Sequence, residues 1–306
     1  MKVQGLKRTD LKVSAVCMGT GNFGEKLQEK EARYLLDTFV DAGGNFIDTA
    51  NVYCRWVAEN GNTSEQIIGK WLKDRGRRDD VIIATKGGHY DFKMPTISRV
   101  RKEEIRKDLE ESLRTLGLDT IPLYYLHRDD ICIPIDEILG WMEEFVALGL
   151  IQYYAASNFK KERMIQAELY RIQNNWQGFS ALSNQWSYAK RNLWNQTDLD
   201  PTLVMMQDED IAWFCHTGLP LIPYTSTAQG FFEKLDKGTL SESMKQTYLN
   251  DENLMKYDIL KQERLHTGIS LYQLSIKKLM EQPFQVIPLG SFRTVEQLNE
   301  FISVAV

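Results

Sequence analysis

Apolar positions along this chain follow two patterns that take turns. Short continuous runs, such as Val81 to Thr85 and Ile121 to Leu126, alternate with stretches in which apolar residues recur every three or four positions. The runs predict strands buried on both faces, and the stretches predict amphipathic helices. Lys2 to Val13 alternates around Gly5 and reads as a hairpin lid, and Val13 to Gly19 as a first buried strand. A helix over Glu29 to Ala42 stops at Gly43-Gly44, and a strand follows over Asn45–Ala50. Thr63-x-x-Gln66 reads as a capping box opening a helix with Ile67, Ile68, Trp71 and Leu72 inward. Further helices carry Ile105, Leu109, Leu113 and Leu116 up to Gly117, and Ile135 to Leu148 up to Gly149. The second half repeats the rhythm. Strands are expected at Ile151 to Ala156, Phe179 to Ser183, Leu219 to Pro223 and Val286 to Leu289. The helices between them run to about Ile172, near Asp208 to His216 and near Ser270 to Met280. A second capping box, Thr294-x-x-Gln297, opens a last helix with Leu298, Phe301, Ile302 and Ala305 inward.

Eight strand–helix units with continuous apolar strands are the signature of a parallel sheet covered on both sides. Eight of them in one chain predict a closed (β/α)₈ TIM barrel, α/β in class, with an N-terminal hairpin and long loops after strands 3, 6 and 7. No linker or shift in composition divides residues 1–306, so a single domain is expected. The 306 residues are 43% hydrophobic and 26% charged, enough apolar content for a sizeable core. A net charge of −5 without a basic cluster gives no reason to expect nucleic acid as a partner. The first ten residues lack the apolar run of a signal peptide, and no window has 18 uninterrupted apolar residues. Cys17, Cys54, Cys132 and Cys215 show no C-x-x-C spacing and fit thiols in a reducing compartment. A cytoplasmic protein is the expectation.

In such a barrel the residues leaving each strand's C-terminal end share one mouth. Asp48 and Tyr53 follow strand 2, Lys86 follows strand 3 and His127 follows strand 4. A carboxylate, a phenol, an ammonium and an imidazole delivered to one spot suit proton transfer to a carbonyl oxygen. A phenol is a poor acid–base at neutral pH on its own. A neighbouring cation favours its ionised form, a carboxylate holds that cation in place, and an imidazole orients the carbonyl. Each residue alone has a plainer reading, as a turn cap, packing, a snorkelling lysine or a core histidine; the combination on successive strand ends does not. The glycines of G-T-G-N-F-G (Gly19, Gly21, Gly24) resemble a dinucleotide fingerprint, but no helix opens directly on them.

The motifs D-T-A-x-x-Y (Asp48 to Tyr53), T-K-G (Thr85 to Gly87), L-x-x-D-x-I-x-L-Y-Y-L-H (Leu116 to His127), S-N-F (Ser157 to Phe159) and the late G-S…R-T-V-E-Q-L (Gly290 to Leu298) occur in order. Together they resemble the aldo-keto reductase family from end to end. The resemblance implies an oxidoreductase with Asp48, Tyr53, Lys86 and His127 as its catalytic tetrad. It also implies a nicotinamide cofactor extended across the mouth, near Gly19. Ser157, Asn158 and Gln185 would hold the carboxamide, and Tyr224 would stack on the ring. Thr225, Ser226, Gln229 and Gly230 would lie near the pyrophosphate, with Gly290, Ser291, Arg293 and Gln297 around the adenosine ribose. The last loop and capped helix start form an anion site, and Arg293 suits a 2′-phosphate. NADP(H) is therefore expected over NAD(H). Cys54 stands where the family usually has glycine, Phe301 where an asparagine often meets the adenine, and Ser291-Phe292 adds one residue.

Trp56, Trp186 and the loop aromatics Tyr90, Phe92, Trp194, Phe231 and Phe232 are candidate contacts for a flat or sugar-like carbonyl substrate. The expected reaction is reduction of an aldehyde, ketone or sugar carbonyl, or oxidation of the matching alcohol. Some proteins of this fold act chiefly as cofactor-sensing partners of other proteins, and that is the alternative the resemblance leaves. A metal-dependent barrel enzyme would need an H-x-H or convergent carboxylates at the strand ends, and the sequence offers neither, so no metal is expected.

Overall fold

The computed structural model describes residues 1–57, 61–76, 80–192 and 200–305. The candidate Trp194 lies outside them. An antiparallel hairpin of β1 (Val3–Gly5) and β2 (Lys12–Ser14) precedes the main sheet. That sheet contains β3 (Cys17–Gly19), β4 (Phe46–Asp48), β5 (Ile82–Gly87), β6 (Ile121–Leu126), β7 (Ile151–Ser157), β8 (Leu182–Ser183) and β9 (Leu289–Gly290). All neighbours are parallel, in the order β8-β7-β6-β5-β4-β3-β9. The longest strands, β5 to β7, are the continuous apolar runs of the sequence, buried along nearly their whole length. Between β8 and β9 the sheet continues through single residues, because Leu221 makes parallel bridges to both Leu182 and Val286. The predicted strands at Leu219 to Pro223 and Val286 to Leu289 are thus reduced to bridges and to the two residues of β9.

Helices cover the outer face. The described residues include α1 (Glu29–Asp41), α2 (Thr63–Arg75), α3 (Lys102–Leu116), α4 (Ile135–Ala147), α5 (Lys161–Asn174) and α6 (Asp210–Thr217). They also include α7 (Phe231–Asp236), α8 (Glu242–Tyr248), α9 (Asp251–Thr267), α10 (Leu271–Met280) and α11 (Val295–Ile302). Among the described residues no helix is long and apolar enough to cross a membrane. Gly76, Gly117, Gly218 and Gly268 end α2, α3, α6 and α9 in the left-handed conformation, which explains why glycine punctuates the helical pattern. The capping box expected at Thr63 does not form: the N-cap of α2 is Asn62, without a side-chain cap bond. Asn62 takes the N-cap position because its amide is anchored to the buried Glu65, 2.7 Å away, and Gln66 reaches back to its Oδ1 at 3.3 Å. Thr294 does cap α11, accepting from the Gln297 N–H at 3.3 Å. The Gln297 side chain, however, accepts from Arg293 N rather than from Thr294. A complete box opens α10 at Ser270 and Gln273.

The hairpin closes the end of the sheet opposite the candidate site. Leu6, Leu11 and Val13 pack inside the sheet against Phe46, Leu123, Ile222 and Ile287. Ser14 N–H donates to Asn45 Oδ1 at 2.7 Å, and Asn45 lies at the N-terminal end of β4. Asp48 lies at its other end.

Candidate active site

The parallel register sets the site. Asp48 is the last residue of β4, Lys86 is the penultimate residue of β5, and His127 follows β6 directly. Tyr53 sits in the turn after β4, tied down by Asn51 N–H to Lys86 O at 3.0 Å and by its own N–H to Ala50 O at 3.0 Å. Arg55 braces the same turn, donating to Asn51 O at 2.9 Å and to Glu111 of α3 at 2.6 Å. Cys54, buried, takes a φ of 76°, a conformation favouring the glycine that its position would otherwise carry.

Lys86 commits its three protons. Its Nζ donates to Asp48 Oδ1 at 2.5 Å, to Thr49 O at 2.7 Å and to Tyr53 Oη at 3.2 Å. Asp48 and Lys86 are both buried. Burial pulls the Lys86 ammonium towards neutrality, but the Asp48 carboxylate and Tyr53 outweigh it, so the ammonium is held charged and its pKa is raised. Burial raises the Asp48 carboxyl, opposed by Lys86. For Tyr53, burial again comes first and holds the phenol protonated above its ordinary range, while Lys86 draws the proton the other way. The residue pattern alone points only to that second effect, because burial of the phenol is set by the fold. His127 is held neutral, first by burial and then by the positive charges of Arg128 and Lys86 and the neighbouring His89. Its ring lies edge-on to Tyr53 at 6.0 Å, and its buried Nδ1 has no protein partner among the described residues. The result is a protonated phenol, a fixed cation and a neutral imidazole side by side.

These groups open into a cleft of about 920 Å³. Of the predicted cofactor residues, Gly19, Ser157, Asn158, Tyr224, Thr225, Gln229, Gly230, Gly290, Ser291, Arg293 and Gln297 line it. A side chain at Gly19 would come within 2.6 Å of Leu289 Cδ2 and 2.7 Å of Ser291 Oγ, so both side chains would have to move to admit one beside the last strand. Thr225, Ala228, Gln229 and Gly230 all have positive φ, a run of unusual backbone beside the cleft. Lys26, Lys234 and Lys237 line the same cleft as Arg293. A long cleft with this cationic lining suits an extended dinucleotide. The three lysines have no motif to mark them: Lys26 lies in the loop before α1, and Lys234 and Lys237 lie in and at the end of α7, more than 200 positions away.

Other candidates are placed differently. Ser226 is buried and donates to Leu289 O at 2.7 Å. Gln185 and Trp186 line a separate pocket with Met205 and Lys256, and Trp186 stacks on Phe284 at 6.4 Å. Asn158 lines the cleft with its amide already engaged: Nδ2 donates to His127 O and Ser157 Oγ, and Oδ1 accepts from Val204 N–H and from Tyr224 Oη at 2.6 Å. It fixes the Tyr224 ring. Phe301 packs on Phe292 at 4.9 Å, and a side chain at Gly290 would strike both rings. Trp56 stands edge-on to Tyr53 at 6.2 Å and to Phe92 at 5.8 Å, and His89 links Phe92 to His127. Phe231 and Phe232 are buried in a separate core under α7 to α10.

Three relatives indicate what this arrangement is similar to. An uncharacterized oxidoreductase, YrpG, of Bacillus subtilis is 28% identical, covering 99% of this chain and 90% of its own length. The norsolorinic acid reductase stcV of Emericella nidulans is 25% identical over 96% of this chain and 74% of its own. An aryl-alcohol dehydrogenase [NADP(+)] of Phanerodontia chrysosporium is 28% identical over 72% of this chain and 57% of its own. The aldo/keto reductase family model matches residues 15–306, and the chain therefore belongs to the aldo/keto reductase family.

Proposed function

We propose that this oxidoreductase reduces the carbonyl of an aldehyde, ketone or sugar, or oxidises the matching alcohol, with NADP(H) as cofactor. It would do so at the mouth of a single-domain (β/α)₈ barrel closed through Leu221. The observation that carries the reading is Lys86 Nζ, bonded at once to Asp48 and to Tyr53 Oη beside a neutral His127. A bound nicotinamide supplies or accepts the hydride. Tyr53 gives its proton to the carbonyl oxygen, Lys86 stabilises the phenolate left behind, and Asp48 keeps Lys86 charged and in place. The His127 imidazole orients the carbonyl without adding charge. Tyr224, held by Asn158, offers a flat face for the nicotinamide ring, and Ser157 and Asn158, which line the same cleft, are the candidates for its carboxamide. The backbone of 225–230, with Lys26, Lys234 and Lys237, suits the pyrophosphate. Arg293 and Gln297 suit the adenosine ribose and a 2′-phosphate. The aromatic wall of Trp56, Phe92 and His89 fits a planar carbonyl compound.

The test follows nicotinamide absorbance with NADPH or NADH and a reactive aldehyde, in wild type and Tyr53→Phe. Consumption of NADPH that falls by roughly 10²- to 10⁴-fold in the variant supports the reading. Equal turnover by the variant, or no binding of either cofactor, refutes it.

A further inference from the structure

We propose that Arg128 receives an anionic group of the substrate, so that the favoured substrates are carbonyl compounds carrying a carboxylate. This rests on the reductase reading of the same cleft.

Arg128 follows His127 directly, lines the cleft, and is 8% exposed. Burying a guanidinium is costly unless its donors are used. Three of its five N–H groups are accounted for: Nε donates to Thr202 Oγ1 at 2.8 Å, Nη1 to His127 O at 2.9 Å, and Nη2 to Asp200 Oδ2 at 3.1 Å. One N–H on each terminal nitrogen is left over by these bonds, with the Tyr90 ring and hydroxyl as the neighbouring protein group. Asp200 is its ion-pair partner, but through Nη2 alone. Its two oxygens also accept from Tyr90 Oη at 2.8 Å, from Thr202 N–H at 2.9 Å and from Thr202 Oγ1 at 2.5 Å. The positive field of Arg128 reaches the cleft, where it acts on Tyr53, His127, His89 and Tyr224 alike.

Among the other cations lining the cleft, Lys86 is spent on Asp48, Thr49 and Tyr53. Lys26, Lys234, Lys237 and Arg293 come from segments suited to the dinucleotide. Arg128 is thus the cation adjacent in sequence to the carbonyl-orienting histidine, and it lines the cleft with a guanidinium that Asp200 meets through one terminal nitrogen only. A planar guanidinium with paired donors matches a carboxylate better than a point charge would.

The experiment compares kcat/KM for 4-oxobutanoate against butanal, and for 4-carboxybenzaldehyde against benzaldehyde, in wild type, Arg128→Gln and Arg128→Lys. In parallel, calorimetry measures benzoate and benzyl alcohol binding to the same proteins, with thermal midpoints recorded. Wild type is expected to prefer the carboxylate of at least one pair by about tenfold or more, and to bind benzoate over benzyl alcohol by a similar factor. Arg128→Gln should bring both ratios near one, and Arg128→Lys should keep part of each. Arg128-dependent benzoate binding without turnover of any carbonyl would uphold the subsite while refuting the reductase reading. Ratios unchanged in Arg128→Gln, or no anion preference in wild type by either method, would overturn the proposal and leave Arg128 as a brace for the 200–204 segment.

Discussion

Lys86 holds the residue-scale argument, because removing its charge does more than delete one contact. Lys86→Met would leave Asp48 ionisable, buried and without its counter-charge, a loss of about 3–5 kcal/mol. Asp48→Leu combined with Lys86→Met removes both charges and should regain most of that stability while turnover stays abolished. Urea unfolding of the two variants checks this; a double variant no more stable than the single would contradict it. The same residues fix the pH profile. Reduction needs Tyr53 protonated, and burial raises its pKa, so kcat/KM should stay level through neutrality and fall only in the alkaline range. His127 is held well below its usual range and His89 lowered to about 4, so neither should add a limb near pH 6.5. A limb there that survives correction for cofactor binding would mean His127 is charged in the working enzyme.

Between elements, small residues decide how closely helices approach. Gly69 in α2 faces the C-terminal turn of α3, where a methyl group would overlap the Thr115 carbonyl oxygen. Gly140 in α4 has nothing nearer than Trp176 at 3.9 Å. Helix propensity alone predicts that alanine stabilises both. The packing predicts opposite signs: Gly69→Ala should cost about 1–3 kcal/mol by overpacking, and Gly140→Ala should gain about 0.5–1 kcal/mol. Denaturant midpoints read both. At the same α2–α3 junction Glu65 is fully buried, accepting from Thr85 at 2.6 Å and Asn62 at 2.7 Å, and burial raises it to about 7. Its folded pKa exceeds the ordinary 4.5, so the folded state binds the extra proton between those values. Stability from this group is therefore present below about pH 4.5 and lost as pH rises to about 7. Subtracting the Glu65→Gln stability profile from the wild-type profile should expose a fall over that window, and a flat difference would place Glu65 in a more polar setting. These features explain what could be read in advance. The long strands β5 to β7 and the glycine stops of α3 and α4 were legible, since continuous apolar runs and left-handed ends leave local marks. The capping box expected at Thr63 is absent because Asn62 stands at the N-cap, its amide drawn to Glu65 in the same helix and to Thr115 of α3 at 3.1 Å, a tertiary partner that no local pattern reveals. Arg128 and the three cleft lysines were invisible, since their significance arises only when distant segments meet.

For the molecule as a whole, the two ends of the curled sheet carry different duties. At the C-terminal ends of the strands, charge is buried and cavities are kept for chemistry. At the opposite end the hairpin fills the interior with Leu6, Leu11 and Val13, and Arg8 ties it to Glu168 of α5 at 2.9 Å. The Tyr153 hydroxyl donates to Asp10 at 2.9 Å, so the strands and the hairpin share polar contacts as well. The tetrad motifs make only the upper end legible, because packing residues carry no chemical signature. This separation makes a prediction. Leu6 is 1% exposed, and Leu6→Ala should cost about 2–5 kcal/mol through lost burial and the cavity left behind. Leu6 packs on Phe46 and Leu123 of the main sheet, so that loss should appear in the unfolding midpoint. It should not appear in KM for the aldehyde or in cofactor affinity when both are measured well below the transition. Tyr53→Phe should show the reverse, a near wild-type midpoint with turnover lost. If Leu6→Ala instead raised KM severalfold while the protein remained folded, the floor and the mouth would be coupled through the interior side chains, and the division of labour along the strands would fail.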